Sequence, residues 1–143
     1  MDSRTTILYV DDNPKSSRLL ASVLEECDFR VVAKTDPVEA LALCRRASFD
    51  LALLDYEMPA MNGARLAREI KYLMPDLPVV LISGRTELPP SELEFVDAHF
   101  GFGTSLDDLL WTMRILAAPR LVPNYRHLPD LSTSTESRWS DST

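Results

Sequence analysis

The sequence predicts an α/β protein whose parallel sheet is covered by helices on both faces. Three short runs are continuously apolar, which is typical of strands that are buried on both sides. Segments with helical spacing of apolar residues lie between these runs, and such alternation builds a layered α/β sandwich. Hydrophobic residues make up 45% of the 143 residues, which is enough for one domain with its own core.

Five segments are predicted as strands: the three buried runs, a weaker fourth and a poorer fifth. In chain order they are Ile7 to Val10, Arg30 to Ala33, Leu51 to Leu54, Val79 to Ile82 and His99 to Phe102. The three buried runs are followed directly by Asp11, Asp55 and Ser83. Because ligands of open parallel sheets bind at the carboxyl ends of the strands, we expect the chemistry of this protein at these polar residues.

Four further segments carry apolar residues at helical spacing. These residues are Leu19, Leu20, Val23, Leu24 and Cys27; Val38, Leu41 and Ala42; Leu66, Ile70 and Leu73; and Leu106, Leu109, Leu110, Met113, Leu116 and Ala117. Ser105 is expected to cap the last of these helices. The segment between Ser83 and His99 predicts only a poor helix, because Pro89 and Pro90 can only open one and few residues remain.

The composition changes at Pro119. Three prolines interrupt any helix beyond this point, and eight of the last twelve residues are Ser or Thr. We therefore expect one domain over residues 1–118, followed by a Pro/Ser/Thr-rich tail over residues 119–143.

The charge balance excludes some classes of partner. The net charge is −7 and the isoelectric point about 4.8, which argues against general binding to nucleic acid or to an anionic membrane. Neither a secretory leader nor an apolar run of the ~20 residues that span a bilayer is readable. Cys27 and Cys44 lack metal-type spacing and predict reduced thiols. These observations together predict a cytoplasmic protein.

Three carboxylates are predicted to meet at one edge of the sheet. Asp11 and Asp12 follow the first strand, and Asp55 follows the third. A lone Asp-Asp pair is more often a turn or a helix cap, but Asp55 at a matching strand end favours a shared site. Crowded carboxylates repel one another, and a hard cation such as Mg²⁺ or Mn²⁺ removes that cost.

Asp55 is also a candidate nucleophile. It opens a loop that contains Pro59, Asn62 and Gly63, which alone would indicate only a turn between a strand and a helix. A carboxylate beside a metal ion can form an acyl phosphate, because phosphoryl transfer depends mainly on positioning and neutralised charge. The hydroxyl of Ser83, at the end of the fourth strand, is placed to bind a phosphoryl oxygen there.

These motifs resemble the receiver domain of two-component response regulators. The matching segments are Leu8-Tyr9-Val10-Asp11-Asp12, Asp55-Tyr56-Glu57-Met58-Pro59-Ala60-Met61-Asn62-Gly63, and Leu81-Ile82-Ser83-Gly84. The resemblance covers about Thr6 to Ala118. It implies a flavodoxin-like receiver fold: a three-layer, doubly wound, five-stranded parallel sheet of order 2-1-3-4-5 with five helices.

The resemblance also implies a function. A histidine kinase, a phosphotransfer protein or a small phosphodonor would phosphorylate Asp55, and the chain would signal to an effector protein through protein–protein contacts. Such a domain is a phosphoacceptor with self-catalysed phosphorylation and dephosphorylation, and not an enzyme acting on a separate substrate. The metal ligands would be Asp11, Asp12, Asp55 and the backbone carbonyl of Glu57. Ser83 would be the switch hydroxyl, and His99 takes the place of the switch aromatic residue.

The chain departs from the family pattern after the fifth strand. Receivers carry a Lys-Pro pair there, and this sequence has Phe102-Gly103. The stretch that precedes it is about three residues shorter than is typical, so we expect a stunted fourth helix. Arg85 and Lys15 are candidate replacements for the missing cation. Arg85 could instead pair with Glu57, and a solvated surface role is the more common one for either residue. An alternative function is therefore a receiver-like interaction module that works without phosphorylation.

Trp111 and Ile115 are expected to point away from the core stripe of the last helix. They mark either a surface for a partner, including a second copy of the chain, or a surface that residues 121–125 cover.

Overall fold

A computed structural model describes residues 3–101 and 103–118. Its five strands are β1 (Thr5–Val10), β2 (Phe29–Lys34), β3 (Leu51–Asp55), β4 (Val79–Ser83) and β5 (Ala98–Gly101). The helices are α1 (Pro14–Glu26), α2 (Pro37–Cys44), α3 (Gly63–Leu73) and α4 (Leu106–Ala117). All strands are parallel, and their order is β2-β1-β3-β4-β5, as the sequence predicts.

The sheet divides the apolar residues into two buried clusters because successive side chains of a strand point to opposite faces. One cluster joins Leu8, Leu54 and Leu81 of the sheet to α2 and α3, where Ala40 and Ile70 are fully buried. The other joins residues of the opposite face to α1 and α4, and its members include Ile7, Tyr9, Leu24, Leu53, Leu110 and Met113. The predicted three-layer architecture is therefore confirmed.

Local signals place the helix starts. Asn13, Asp36, Asn62 and Ser105 each accept a backbone N–H of the first turn with their side chains, at the starts of α1 to α4 in order. The Ser105 hydroxyl accepts the N–H of Asp108 at 3.1 Å, which confirms the predicted cap. Sequence analysis did not identify the other three caps.

The expected stunted helix between β4 and β5 is reduced to a 3₁₀ turn at Pro90–Glu92. The family pattern implies five helices, but residues 3–101 and 103–118 contain four α-helices. Prolines at 89 and 90 supply no N–H to a ladder, and the seven residues between Pro90 and β5 form no α-helix.

Three residues predicted on buried stripes are exposed instead: Leu19, Val38 and Leu106. Leu19 and Val38 each lie one position from an inward-facing residue, and one position rotates a side chain by about 100° around a helix. Leu106 is the first residue of α4 and lines an open cleft beside the carboxyl edge of the sheet.

Within the part of the chain that the structure describes, no helix combines the length and the apolarity needed to cross a bilayer.

Candidate functional site

Three carboxylates meet at the carboxyl edge of the sheet. Asp11 and Asp12 follow β1 directly, and Asp55 is the last residue of β3, the strand paired with β1. One oxygen of each carboxylate lies within 4.8 Å of one from each of the others. The predicted convergence of these three residues is therefore confirmed, and the arrangement offers several hard oxygen ligands to one cation.

The acids are close enough to perturb each other. Burial raises the pKa of Asp55 from 3.8 to about 7, and the negative charges of Asp11 and Asp12 add to the rise. The backbone N–H of Glu57, which donates to Asp55 Oδ1 at 3.3 Å, lowers this pKa and so opposes the shift. Without a cation, the cluster therefore holds more negative charge than its surroundings compensate.

Asp11 is held by two hydrogen bonds. The hydroxyl of Tyr9 donates to Asp11 Oδ2 at 2.8 Å, and the backbone N–H of Asn13 donates to Oδ1 at 3.0 Å. Burial, followed by the hydrogen bond to Asp11, raises the pKa of Tyr9 above its usual value. Sequence analysis missed the role of Tyr9, although its spacing of two from Asp11 on one strand places both side chains on the same face.

The loop after β3 is fixed close to Asp55. A Cβ atom at Gly63 would lie 2.5 Å from the backbone oxygen of Asp55 and 2.6 Å from Leu81 Cδ1. Only glycine permits this approach, so α3 begins directly against the end of β3. Asn62 completes the connection by accepting the N–H of Arg65 at 2.9 Å.

Ser83 lies at the same edge of the sheet, at the end of β4. The strand β4 pairs with β3, and the Ser83 side chain is only 1% exposed. Its hydroxyl oxygen accepts the backbone N–H of Arg85 at 2.9 Å. The hydroxyl proton is not used in this bond and can be donated to an oxygen at the site.

Arg85 and Glu57 form the ion pair that sequence analysis considered. Arg85 Nε lies 3.7 Å from Glu57 Oε1. The two side chains are 60% and 50% exposed, respectively. The guanidinium also lies over the ring of Tyr56, 5.6 Å from the centroid. The Tyr56 hydroxyl donates to Glu92 at 2.6 Å, which links the loop after β3 to the 3₁₀ turn. Arg85 is therefore positioned by the loop that carries Glu57.

An open cleft of about 600 Å³ adjoins the acids. Its acidic end contains the three carboxylates together with Glu57. Its apolar side is formed by residues of α1, β4 and α4, namely Leu19, Leu20, Val23, Ile82 and Leu106.

Comparison with known proteins decides the family. The family model described as the response regulator receiver domain matches residues 7–99, which is more than half of the chain. The chain belongs to the response regulator receiver domain family. Receiver domains of this family are generally phosphoacceptors that interact with histidine kinases and effector proteins.

Solved receiver domains have the same fold as this one. The CheY-like receiver domain protein from Methanospirillum hungatei JF-1 matches with a TM-score of 0.74 and 26% identity, over 80% of this chain and 94% of that one. Response regulator protein TrrA from Thermotoga maritima, solved in complex with Mg²⁺-BeF, matches with a TM-score of 0.73 and 26% identity, over 78% of this chain and 98% of that one.

The curated relatives are much longer proteins. The cyclic di-GMP phosphodiesterase response regulator RpfG of Xanthomonas campestris is 36% identical over 86 residues, which are 57% of this chain and 23% of RpfG. The C4-dicarboxylate transport transcriptional regulatory protein DctD of Rhizobium meliloti is 28% identical over 102 residues, 71% of this chain and 22% of DctD. This chain therefore spans less than a quarter of the length of either relative.

His99 lies on β5 of the receiver domain, opposite Leu81 of β4. Among the described residues, its Nε2 atom is a buried side-chain nitrogen without a hydrogen-bond partner. Burial lowers the pKa of His99, which favours the neutral imidazole. Its role as a switch residue stays a prediction, and Phe102, predicted at the place of the family lysine, lies outside the described residues.

Trp111 and Ile115 of α4 are exposed, with 66% and 48% of the residue surface accessible. This confirms that they point away from the core. The tail that sequence analysis considered as a cover, with the rest of residues 119–143, lies outside the described residues.

Proposed function

We propose that this receiver domain accepts a phosphoryl group on Asp55 in a Mg²⁺-dependent reaction. The donor is a histidine kinase or a phosphotransfer protein, and the phosphorylated state signals through contacts with an effector protein. The observation that carries this proposal is the convergence of Asp11, Asp12 and Asp55 from two neighbouring strand ends, with their ligand oxygens within 4.8 Å.

The donor set fits magnesium. Three carboxylates with the backbone carbonyl of Glu57 form the all-oxygen ligand set that Mg²⁺ and Mn²⁺ prefer. The raised pKa of Asp55 supports the same assignment, because an adjacent cation would offset the repulsion between the acids. The related receiver TrrA has been solved with Mg²⁺ and a beryllofluoride group. When bound, the ion would neutralise charge on the transferred phosphoryl group.

Asp55 supplies the nucleophile of the proposed reaction. A carboxylate oxygen of Asp55 attacks the phosphorus of a phosphohistidine, forming a P–O bond as the P–N bond breaks, and the imidazole leaves and takes up a proton. Water later attacks the phosphorus of the acyl phosphate and releases inorganic phosphate, so the carboxylate is restored. The Ser83 hydroxyl donates to a phosphoryl oxygen, since it lies at the end of the neighbouring strand.

The cation that would pair with the phosphoryl group differs from the family pattern. Lys71 contacts Asp97 at 2.8 Å, directly before the start of β5 and therefore at the opposite edge of the sheet from the three acids. Arg85 is held at the mouth of the site by Glu57 and is the candidate that we favour. If the Arg85 guanidinium moved from Glu57 to a phosphoryl oxygen, its contact with the Tyr56 ring would also change.

The exposed face of α4 around Trp111 and Ile115 is the surface that we propose for an effector or a second copy of the chain. Exposed Trp on a helix is uncommon in monomeric proteins and is enriched in interfaces. The chain's negative charge is consistent with protein partners and not with nucleic acid.

A receiver-like module that works without phosphorylation is the second candidate function. Two observations favour it: the sequence has Phe102 where the family has lysine, and only a 3₁₀ turn lies between β4 and β5. Incubation with acetyl phosphate and Mg²⁺, followed by intact-mass measurement, separates the two functions. An adduct that maps to Asp55 supports the phosphoacceptor, and an unmodified chain supports the second candidate. Phe102→Lys should raise the phosphoryl-dependent response if only this cation is missing, and no gain would favour the second candidate.

Replacing Asp12 with Ala should weaken Mg²⁺ binding by at least about tenfold, because one of three carboxylates is lost from the ligand set. Isothermal titration calorimetry with Mg²⁺ measures the effect directly. The matched control is Asp107→Ala, which removes the same charge from the exposed start of α4. Equal Mg²⁺ affinity in the wild type and in Asp12→Ala would contradict the proposed ligand set.

A further inference from the structure

Tyr9 is buried beside the acidic cluster, and its hydroxyl group contacts that cluster. The residue lies in β1, its side chain is 2% exposed, and its ring belongs to the buried cluster that contains Leu110 and Met113 of α4. Its hydroxyl donates to Asp11 Oδ2 at 2.8 Å. The ring is thus fixed by the core, while the hydroxyl meets a carboxylate of the site.

The second hydrogen bond to Asp11 comes from the main chain. The N–H of Asn13 donates to Asp11 Oδ1 at 3.0 Å, and Asn13 itself caps α1 by accepting the N–H groups of Lys15 and Ser16. Both oxygens of Asp11 are therefore held, one by the start of α1 and one by Tyr9. Each oxygen keeps a second lone pair that remains available to a cation.

We propose that Tyr9 is a positioning residue of the metal site, whose hydroxyl orients the Asp11 carboxylate toward a divalent cation. This inference rests on the proposed function, because it concerns the same cluster of carboxylates. A ligand that is already held in one orientation loses less conformational freedom when the cation binds. Groups that hydrogen-bond metal ligands commonly contribute 10- to 100-fold to metal affinity.

The test is the affinity of Tyr9→Phe for Mg²⁺ and Mn²⁺, measured by calorimetry with the metal ion alone. Phenylalanine keeps the buried ring and removes only the hydroxyl. We expect the dissociation constant to rise by about tenfold relative to the wild type. An unchanged or tighter affinity in the folded variant would overturn the inference.

The matched control is Tyr72→Phe. It also removes a tyrosine hydroxyl, but Tyr72 is exposed near the end of α3 and lies outside the cluster of three acids. We expect the metal affinity of this control to stay within about twofold of the wild type. A loss as large as that of Tyr9→Phe would show that removal of a tyrosine hydroxyl acts on the fold in general, and it would overturn the inference.

A double-mutant cycle distinguishes positioning from a structural role. If Tyr9 acts through Asp11, Tyr9→Phe should change Mn²⁺ affinity by less than about twofold in the Asp11→Ala background, which has no oxygen to accept the Tyr9 hydroxyl. A second tenfold loss in that background would mean that Tyr9 acts by another route. The wild type provides the remaining distinction: absence of Mg²⁺ binding there refutes the proposed metal site itself, whereas wild-type binding with an unchanged Tyr9→Phe refutes only the role of Tyr9.

Discussion

Replacing Asp55 with Asn should abolish covalent phosphorylation by acetyl phosphate and by any cognate kinase. The amide of Asn has no carboxylate oxygen to attack phosphorus. Asp55 is the one acid of the cluster at the end of β3, so neither of the other two acids occupies the acceptor position. Intact-mass measurement after incubation with acetyl phosphate and Mg²⁺ should show the adduct in the wild type and none in Asp55→Asn.

The control for this result is Asp107→Asn, which makes the same chemical change at an exposed acid of α4. It should be modified as fully as the wild type. Circular dichroism should show that Asp55→Asn is folded, because Asn has nearly the same shape as Asp. A persistent adduct in folded Asp55→Asn would refute Asp55 as the acceptor.

The same substitution should stabilise the metal-free protein at pH 8. The pKa of Asp55 is about 7 in the folded state and near 3.8 when it is not perturbed. The folded state therefore prefers the protonated carboxyl, so the cost of ionisation is absent below about pH 4 and fully present above about pH 7. Such a shift corresponds to at most ~4 kcal/mol, and solvent screening at this partly exposed residue reduces the expected gain for Asn to about 1–2 kcal/mol.

Urea unfolding of both proteins in EDTA, at pH 4.5 and at pH 8, measures this effect. The advantage of Asp55→Asn should be large at pH 8 and small at pH 4.5. Added Mg²⁺ should reverse the order at pH 8, because ligand binding stabilises only the protein that keeps the site. A metal-free Asp55→Asn that is less stable than the wild type at pH 8 would contradict the picture of crowded, uncompensated acids.

Three of the strands were predicted with most support because each is a run of apolar residues that is followed by a polar one. The observed fifth strand begins at Ala98, one residue before its predicted start, because its residues are only partly buried and give a weak apolar signal. Its predicted last residue, Phe102, lies outside the described residues. Helix orientation was harder to predict. Leu19 and Val38 are apolar, and no local sequence signal shows that each lies one position away from the buried face of its helix and is exposed to solvent.

The candidate site was predicted in part. The positions of Asp11, Asp12 and Asp55 follow from the strand ends, which the sequence pattern predicts, and from the strand order, which the family resemblance implies. The Tyr9–Asp11 contact is local and was missed although the spacing of two residues could have revealed it. The contact of Gly63 depends on distances between elements that are far apart in the chain. The close approach of α3 to the Asp55 carbonyl, for example, requires the full packing of α3 against β3 and β4.

The pairing of Arg85 with Glu57 illustrates a case that sequence alone left open. Both partners lie close to strand ends at one edge of the sheet, so either a mutual ion pair or separate solvated roles were consistent with the sequence. The observed distance of 3.7 Å favours the pair, although ion pairs between exposed side chains contribute little stability by themselves. Its significance lies in keeping one guanidinium beside the entrance to the acidic cluster.

Titration of the protein with beryllofluoride tests the central claim most directly, because this group imitates a phosphoryl group on a carboxylate. In the presence of Mg²⁺, we expect saturable binding at one site, with amide NMR shifts centred on Asp55 and Ser83. Asp55→Asn should show neither. Absence of binding to the wild type at saturating Mg²⁺, or shifts of the same size without any divalent ion, would contradict a metal-dependent phosphoacceptor at this edge of the sheet.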